Sequence, residues 1–594
     1  MAGAFALGGN EYGYNANWTF TAFFCCLAAS AGGALFGWVC AQLISCVHRY
    51  DNGVMGGVVA MDGFLQKFFP HIIVAQAAYK QETGADLSRS LYCAFDDQIL
   101  QLVTSVLFLA GTVCELSGTT AYLSRYHGRK KVMMYSGILF MVAAIILCAA
   151  EHISMIIIGR VFQGIAISFA SVSVPIYNSE MAPPRFRGRL NQLYQIVLTG
   201  FILVAYIINL IMNLVHATRW GWRFSLGFAF VPSFMLFLGG VFLPDSPNSL
   251  LERGYVDQAR KNLEYVRGTQ DVDREFDHLV EAADLAKQVK HPWVNIFSRK
   301  YRPQLVLCAC CTLFQQWTGI NIIIFYGPEI FTAFGANTTL SLVCGLIIGA
   351  CNHLSTYVSF WVADYFGRRF LFLQAGVQMV IAMLIIAISL KEINNPNKNL
   401  WEAWYILGML CFFDMAYAWS YGPLAWLYPT EIQALDTRSA GLAVASCMNL
   451  LFSFVIAQCF LTMLCTLQWG TFLFFAICVF VMTVFVYFFF VETKNMPIEE
   501  CPFLFANHWF WKRYAQSGIG FGEKLVVHRK MLRTQEMGTE FKPAPGMEAV
   551  VEEVRQEIEM HGRLLTPLDM ENIKGHGTLG SQDSTGPPKP SSTV

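Results

Sequence analysis

"SRYHGRKK" (residues 124–131) and "ADYFGRRF" (residues 363–370) are two versions of one short basic turn, far apart in the chain. Each is followed by a second matched fragment. These fragments are "PIYNSEMAPPRFRG" (residues 175–188) and "WLYPTEIQALDTRSAG" (residues 426–441). A basic turn alone is common in membrane proteins, but four fragments in matched order indicate an internal repeat. Such a repeat predicts a chain built from two related halves.

The composition is that of a membrane protein. Of 594 residues, 55% are hydrophobic and only 14% are charged, whereas soluble domains carry about 25% charged residues. Apolar runs of roughly 20 residues recur, and each can cross about 30 Å of hydrocarbon as a helix. Lipid cannot satisfy a bare backbone, so we expect helices throughout. The net charge of zero gives no reason to expect nucleic-acid binding.

The apolar runs predict an all-α membrane protein with twelve transmembrane helices in two six-helix halves. The predicted spans cover residues 19–58, 97–122, 130–150, 153–176, 190–214, 221–243, 303–331, 338–362, 370–390, 401–428, 439–465 and 469–491. Because the repeated fragments occupy corresponding membrane positions, they favour a secondary transporter. Its site is then expected near the midplane, between the halves.

The remaining segments complete the predicted organisation. The domains are an N-terminus over residues 1–18, a first half over 19–243, a helical linker over 244–302, a second half over 303–491 and a tail over 492–594 that is disordered at its end. The short connections are rich in arginine and lysine, which places them in the cytoplasm with the linker and both termini. The loop over residues 59–96 then faces outward.

Seven motifs connect the chain to a known family. They are "GRVFQG" (159–164), "PIYNSEMAP" (175–183), "LPDSPNSLLERG" (243–254), "QQWTGIN" (315–321), "DYFGRR" (364–369), "WSYGPLAWLYPTE" (419–431) and "VETKNMPIEE" (491–500). With them the chain resembles the sugar porter family of the major facilitator superfamily from residue 19 to residue 514. Plant sugar transport proteins and green-algal hexose–proton symporters are the most similar branches.

The resemblance implies a carrier. We expect proton-coupled uptake of a monosaccharide across the plasma membrane by alternating access, with no enzymatic activity, cofactor or metal. The expected partners are the sugar, protons and the lipid bilayer, and the protein is expected to be a monomer. A facilitative sugar uniporter and a non-transporting sugar sensor remain the alternatives, and the exact hexose or pentose stays open.

The resemblance also assigns a sugar site. Sugar hydroxyls both donate and accept hydrogen bonds, so a site needs amides, with flat apolar faces for the C–H side of the ring. The residues implied to line it are Gln195, Gln315, Gln316, Asn321, Asn352, Trp426 and Asn449. The alternative is that membrane amides only bond helix to helix. Gly319, Gly327 and Pro328 in the seventh span, and Gly422 and Pro423 in the tenth, suit helices that break near the substrate.

A charge pair is implied to couple the proton. Asp51 and Arg160 lie at membrane depth, where either charge alone is costly, so we expect them to pair. Arginine does not release its proton, so Asp51 is the titrating group. By resemblance, protonation of Asp51 from outside releases Arg160 and lets the first helix move. The alternative is a static ion pair between two helices.

Two further sets come from the resemblance. The family's inner-face salt-bridge network, which holds the halves together when the outside is open, corresponds to Arg129, Glu180, Arg187, Arg368, Glu431 and Arg438. A lid disulfide corresponds to Cys93 in the outer loop and Cys465 in the opposite half, in an exterior oxidising enough for it. The alternative for the cysteines is two free thiols.

The chain also departs from its family. "WVCAQLISCVHR" (residues 38–49) is an insertion in the first span, which as one helix would then measure about 60 Å, twice the hydrocarbon thickness. Either these residues loop out or the helix slides, and whether the insertion inactivates the protein is open. Glu115, His353 and Asp414 stand where relatives are usually apolar or small, and intramembrane ionisable groups are functional candidates. For His353 a helix-packing hydrogen bond is the alternative.

Overall fold

The computed structural model describes a defined part of the chain. It covers residues 50–51, 53–81, 93, 96–181, 187–215, 220–267, 270–273, 275–277, 279–280, 283, 292–333, 338–392, 400–433, 437–494, 504–505, 508–515, 527, 531 and 548–561. The insertion at residues 38–49 and the first part of the first span lie outside the described residues. Within the described part all regular structure is helical.

The first half comprises ten helices, counted over the described residues up to 243. They are α1 (50–51 and 53–59), α2 (Asp62–Phe68), α3 (Pro70–Gln81), α4 (Gln98–Leu116), α5 (Thr119–His127), α6 (Arg129–Cys148), α7 (Ile153–Met181), α8 (Arg187–Leu214), α9 (Gly221–Gly227) and α10 (Phe230–Phe242). Local sequence sets several ends. At the start of α4, for example, Asp97 Oδ1 accepts from the backbone N–H of Ile99 and of Leu100 at 2.7 and 2.9 Å, which caps the helix.

The described linker, second half and tail contain thirteen further helices with defined ends, and residues 273, 275–277, 279–280, 283, 527 and 531 are also helical. The thirteen are α11 (Pro247–Glu252), α12 (Val256–Arg267), α13 (Pro292–Ile296), α14 (Arg302–Trp317), α15 (Ile320–Ala333), α16 (Thr338–Phe366), α17 (Arg368–Glu392), α18 (Leu400–Trp419), α19 (Tyr421–Ile432), α20 (Arg438–Leu467), α21 (Trp469–Phe489), α22 (Lys512–Ala515) and α23 (Glu548–His561). The last lies within a tail segment whose sequence predicts a short helix.

Ten segments in the described part are long and apolar enough to cross a membrane, and each matches one of the twelve predicted spans. The first predicted span lies mostly outside the described residues. The tenth corresponds to α18 and α19, and α18 carries the acids Glu402 and Asp414. The chain is therefore a multi-pass membrane protein.

Four of the predicted spans are broken helices. The span over 221–243 divides into α9 and α10 at residues 228–229. The span over 97–122 is interrupted at Gly118, where φ is +71°, and the span over 303–331 at Gly319, where φ is +84°. Glycine adopts this left-handed conformation without the strain of a side chain. The tenth span breaks at Ser420, with φ −129° and ψ −89°. Apolarity predicted where these spans lie. The predicted break at Gly319 is confirmed, and the break predicted at Gly422 and Pro423 lies slightly earlier, at Ser420. The prediction for Gly327 and Pro328 was wrong, since α15 continues through them, and the break at Gly118 was not predicted.

The segment predicted as an outer loop, residues 59–96, contains α2 and α3 and is called the lid here. Phe64 and Phe68 of α2 pack edge-on against Trp222 of α9, with ring centroids 5.7 and 5.3 Å apart. Lys67 binds Glu151, which also accepts from Arg223 at 2.6 Å. The hydrogen bond from Lys67 and the two positive charges lower the pKa of Glu151. The lid is thus docked on the first half.

Two long contacts join the halves. α4 packs lengthwise on α20, and α8 packs on α16; these are called the α4–α20 seam and the α8–α16 seam. The end of the helices next to the lid is called the lid end, and the other the linker end. At the lid end of the α4–α20 seam, Ser105 Oγ donates to Gln458 Oε1 at 2.6 Å and Thr462 Oγ1 to Asp96 Oδ1 at 2.6 Å.

Close packing fixes α1. A Cβ on Gly53 would lie 2.9 Å from the Cβ of Ala205, and one on Gly57 would overlap the amide of Asn209. Asn209 Nδ2 donates to the carbonyls of Gly53 and Val54 at 3.3 and 3.1 Å. The glycines of α1 therefore let it approach α8 closely, and this contact holds Asp51 in place.

Candidate functional site

Asp51 and Arg160 form a buried ion pair between α1 and α7. Arg160 is 0% and Asp51 1% exposed, and Arg160 Nη1 donates to Asp51 Oδ2. Gln163 Nε2 donates to Asp51 Oδ1 at 3.0 Å, and its own Oε1 accepts from Arg160 Nη1 at 3.2 Å. Gln163 was not predicted, although its position three residues after Arg160 places it on the same helix face.

The amides predicted to bind sugar form a linked cluster in the second half. Gln315 Nε2 donates to the carbonyls of Tyr421 and Gly422 at 3.2 and 2.9 Å. Its Oε1 accepts from Asn449 Nδ2 at 2.7 Å. Gln315 thereby bonds carbonyls next to the break at Ser420. Its hydrogen bonds connect α14 to both α19 and α20.

A second chain of contacts extends the cluster. Gln316 Oε1 accepts from Asn321 Nδ2 at 2.5 Å, across the break at Gly319. The same Nδ2 lies 3.4 Å from Ser453 Oγ, and Ser453 Oγ donates to the carbonyl of Asn449 at 2.8 Å. Four of the seven predicted residues, Gln315, Gln316, Asn321 and Asn449, thus belong to one hydrogen-bonded group.

The other three predicted residues each present an unpaired polar atom. Gln195 of α8 lies against Gly422, since a Cβ there would be 3.2 Å from Gln195 Nε2. Asn352 of α16 donates from Nδ2 to Asp414 Oδ1 at 2.6 Å. Within the described part of the chain, Gln195 Oε1, Asn352 Oδ1 and Trp426 Nε1 are buried without a hydrogen-bond partner. Buried polar atoms in this state are what a hydroxyl-rich ligand satisfies.

The three unexpected ionisable residues have distinct surroundings. His353 Nδ1 lies 3.1 Å from Thr199 Oγ1 in the α8–α16 seam, and Nε2 lies 3.3 Å from Tyr357 Oη, so it bonds one helix to another. Asp414 is fully buried and contacts Asn352. Glu115 lies in the α4–α20 seam with serine partners.

The linker end carries two clusters of charges. Arg129 of α6 donates to Glu180 of α7 at 3.0 Å and bidentately to Glu252 of α11 at 2.6 and 3.0 Å. Ser246, which caps α11, donates to the second oxygen of Glu180. Burial raises the pKa of Glu180, and Arg129 opposes this. The cluster fastens the first helix of the linker to the first half.

The second half has a matching cluster. Arg368 Nη2 donates to Glu431 Oε1 at 2.8 Å, and Thr493 Oγ1 donates to Glu431 Oε2 at 2.5 Å. Glu492 accepts from the backbone N–H groups of Arg368 and Arg369 at 2.9 and 3.0 Å. The bonds described in both clusters lie within one half and the segment after it. The side chains of the predicted partners Arg187 and Arg438 lie outside the described residues.

Cys93 and Cys465 are joined by a disulfide. Cys465 is on α20, so the bond ties the lid to the second half. The lid is also tied at α3, where His71 Nε2 lies 2.8 Å from Asp97 Oδ2.

Among the described residues, no group of three or more His, Cys, Asp or Glu side chains is placed to hold a metal ion.

Comparisons with known proteins agree with the motifs. The family profile described as "Sugar (and other) transporter" matches residues 25–505. "Sugar transport protein MST4" of Oryza sativa subsp. japonica is 43% identical over 518 residues, covering 86% of this chain and 96% of that protein. "Sugar carrier protein C" of Ricinus communis is 43% identical over 512 residues, covering 85% and 94%.

A solved structure shares the fold. It is the major facilitator superfamily proton:xylose symporter XylE bound to 6-bromo-6-deoxy-D-glucose, with a TM-score of 0.65 and 20% identity. The match covers 80% of this chain and 99% of that one. The chain therefore has the major facilitator fold, as the family resemblance implied.

Proposed function

This chain belongs to the sugar transporter family, and we propose that it takes up a hexose together with a proton across the plasma membrane. The relatives named above are a sugar transport protein and a sugar carrier protein, and the protein of the same fold is a proton:xylose symporter. The family is one of carriers, which agrees with the expectation that the chain is not an enzyme.

The observation that carries the sugar proposal is the set of unpaired polar atoms. Gln195 Oε1 belongs to the first half, and Asn352 Oδ1 and Trp426 Nε1 to the second. Sugar hydroxyls complete the hydrogen bonds of the two acceptors and the indole donor, and the Trp426 ring offers a flat apolar face. A ligand that bonds both halves at once can favour the closed arrangement, as alternating access requires.

The buried pair supplies the coupling. Asp51 is held by Arg160 and Gln163, and a proton on Asp51 weakens its attraction to Arg160. We propose that this frees α1 to move against α8, to which Asn209 anchors it. A proton taken up outside and released inside then drives the sugar inward.

The topology follows from the charges. The basic linker end is assigned to the cytoplasm, together with both termini, and the lid end to the exterior. The Arg129–Glu180 and Arg368–Glu431 pairs are proposed to form the inner-face network, completed by Arg187 and Arg438. We propose a monomer, since each half finds its partner within the same chain.

Asp51→Asn tests the coupling, because the amide resembles a protonated carboxyl and cannot titrate. In cells lacking hexose transport, the wild type is expected to concentrate labelled hexose and to lose this with a protonophore. Asp51→Asn is expected to lose accumulation while retaining exchange of labelled for unlabelled sugar.

Asp62→Asn, which changes an exposed acid of α2, is the matched control and is expected to accumulate sugar like the wild type. Accumulation by Asp51→Asn would refute the role of Asp51. Downhill uptake without accumulation by the wild type would indicate a uniporter, and a wild type that binds hexose without any flux a sensor.

A further inference from the structure

Glu115 is a buried acid shared by both halves. It lies in the last turn of α4, at the linker end of the α4–α20 seam, and is 7% exposed. Its Oε1 accepts from Ser171 Oγ of α7 at 2.9 Å and from Ser446 Oγ of α20 at 2.7 Å. Its Oε2 is buried without a hydrogen-bond partner among the described residues. One carboxyl group therefore connects the first half to the second.

No cation faces this carboxyl from the helices packed around it, as far as the structure describes them. The titratable neighbours are thiols, Cys114 on α4 and Cys447 on α20. On α7, Arg160 and Glu180 lie about two to three helical turns from Ser171, and Arg160 is bonded to Asp51.

Other basic residues stand farther along these helices. The basic residues of α5, Arg125 and His127, lie in its last turn, and α20 carries Arg438 about two turns from Ser446. A buried carboxylate without a cation is far more costly than a buried carboxylic acid.

We propose that Glu115 is a second proton-binding site of the transport cycle, distinct from Asp51. When the α4–α20 seam is closed at the linker end, Glu115 holds a proton as the neutral acid, with Oε1 accepting from both serines. When that end opens, Ser446 moves away with α20 and water reaches the carboxyl. The O–H bond then breaks, the proton passes to water, and the carboxylate remains until it is protonated again. This inference rests on the proposed alternating access.

The consequence is a pH-dependent gate. A charged Glu115 cannot return to the closed seam without a large desolvation cost, so the linker end recloses only after protonation. At high pH this step limits the cycle even when Asp51 is not titrating.

Sugar exchange in proteoliposomes, with equal pH on both sides, isolates this step in an Asp51→Asn background. Between about pH 6 and about pH 9, exchange by Asp51→Asn is expected to fall as pH rises, approaching about tenfold per pH unit, the limit for one proton. Adding Glu115→Gln, which keeps the shape but cannot titrate, is expected to flatten the profile.

Two variants sharpen the assay. Ser446→Ala keeps the acid, so it is expected to keep the pH dependence and move its midpoint. Ser105→Ala removes another cross-seam hydrogen bond, to Gln458, and is expected to leave the profile unchanged. An unchanged profile in the double variant Asp51→Asn/Glu115→Gln would overturn the proposal. The proposal would also be overturned if replacing sodium by choline changed the pH profile, because this would indicate that Glu115 binds a metal cation.

A measurement without transport separates this inference from the proposed function. The melting temperature of the purified full chain is expected to fall more steeply between about pH 6 and about pH 9 in the wild type than in Glu115→Gln. Equal slopes would overturn the proton site. If the wild type shows the steeper pH slope of the melting temperature but transports no sugar, the transport proposal is refuted and the proton site is retained.

Discussion

At the scale of single residues, Asn352 links the candidate sugar site to an acid that was not assigned to it. Asp414 Oδ1 accepts one amide hydrogen of Asn352, and this fixes the amide so that its Oδ1 remains available as an acceptor. We therefore expect Asp414 to act on sugar through Asn352, as a positioning residue.

Asp414→Leu removes the acceptor and frees the Asn352 amide to turn. We expect about a tenfold higher KM for hexose, because about 1.4 kcal/mol of oriented hydrogen bonding is lost, with little change in kcat. Asp414→Asn, which still offers a carbonyl oxygen, is expected to recover most of the affinity. Ser389→Ala, which removes a hydroxyl bonded within its own helix α17, is the control. An unchanged KM in Asp414→Leu would show that Asn352 is positioned without Asp414.

Sequence motifs singled out the amides of the cluster but did not predict their hydrogen-bond partners. Gln315 and Gln316 stand in one motif, yet one bonds Asn449 on another helix and the other bonds Asn321 across a helix break. Asp414 has no motif, and its contact with Asn352 arises only where α16 packs on α18. Pairing across helices is tertiary information that a single sequence does not carry.

At the scale of helices, the breaks position the amides. Gly319 turns the chain between α14 and α15, so Asn321 points back to Gln316. Next to the break at Ser420, Gln315 Nε2 donates to the backbone carbonyls of Tyr421 and Gly422. At both breaks, polar backbone therefore lies at membrane depth only where side chains of the protein cover it.

Gly319→Ala tests the first break. Alanine at a left-handed φ costs about 1–2 kcal/mol, and the new Cβ would lie 3.2 Å from the Phe475 ring. We expect a melting temperature lower by about 1–2 °C for a chain of this length and weaker sugar binding. Gly327→Ala in α15 is the control, because a Cβ there meets nothing within 4 Å. Equal effects of the two changes would mean that the conformation at Gly319 is not required.

Helix positions were more predictable than helix continuity. Apolar length reflects transfer into lipid, so it located α6, α17 and α21 closely. Apolar length does not reveal a single residue with positive φ, and the break at Gly118 was therefore missed. The helices of the lid were missed because their stability comes from packing Phe64 and Phe68 on Trp222, which lies far away in the chain.

At the scale of the whole molecule, the two seams differ. The α8–α16 seam is held by single hydrogen bonds, such as Asn213 Nδ2 to Thr339 Oγ1 at 2.9 Å. The α4–α20 seam has several hydrogen bonds between side chains of the two halves and, at the lid end, the Cys93–Cys465 disulfide. The lid end is thus covalently restrained on one side.

Cys93→Ala, Cys465→Ala and the double change are expected to weaken apparent sugar affinity and lower the melting temperature to the same extent. Both cysteines act through one bond, so their effects do not add. Cys459→Ala is the control, since it removes an exposed free thiol from the same helix. Additive losses would show that the cysteines act separately, and two free thiols in mass spectrometry of surface protein would exclude the bridge.

The disulfide also gives the polypeptide a closed topology. Its cysteines are 372 positions apart in sequence, so bond and backbone together form a covalent ring that contains the whole linker. A protease that nicks the linker opens this ring but does not divide the molecule, and reduction of the disulfide leaves the halves connected through the linker. The halves separate into two polypeptides only when both connections are lost, so the bridge makes the covalent integrity of the molecule independent of the linker.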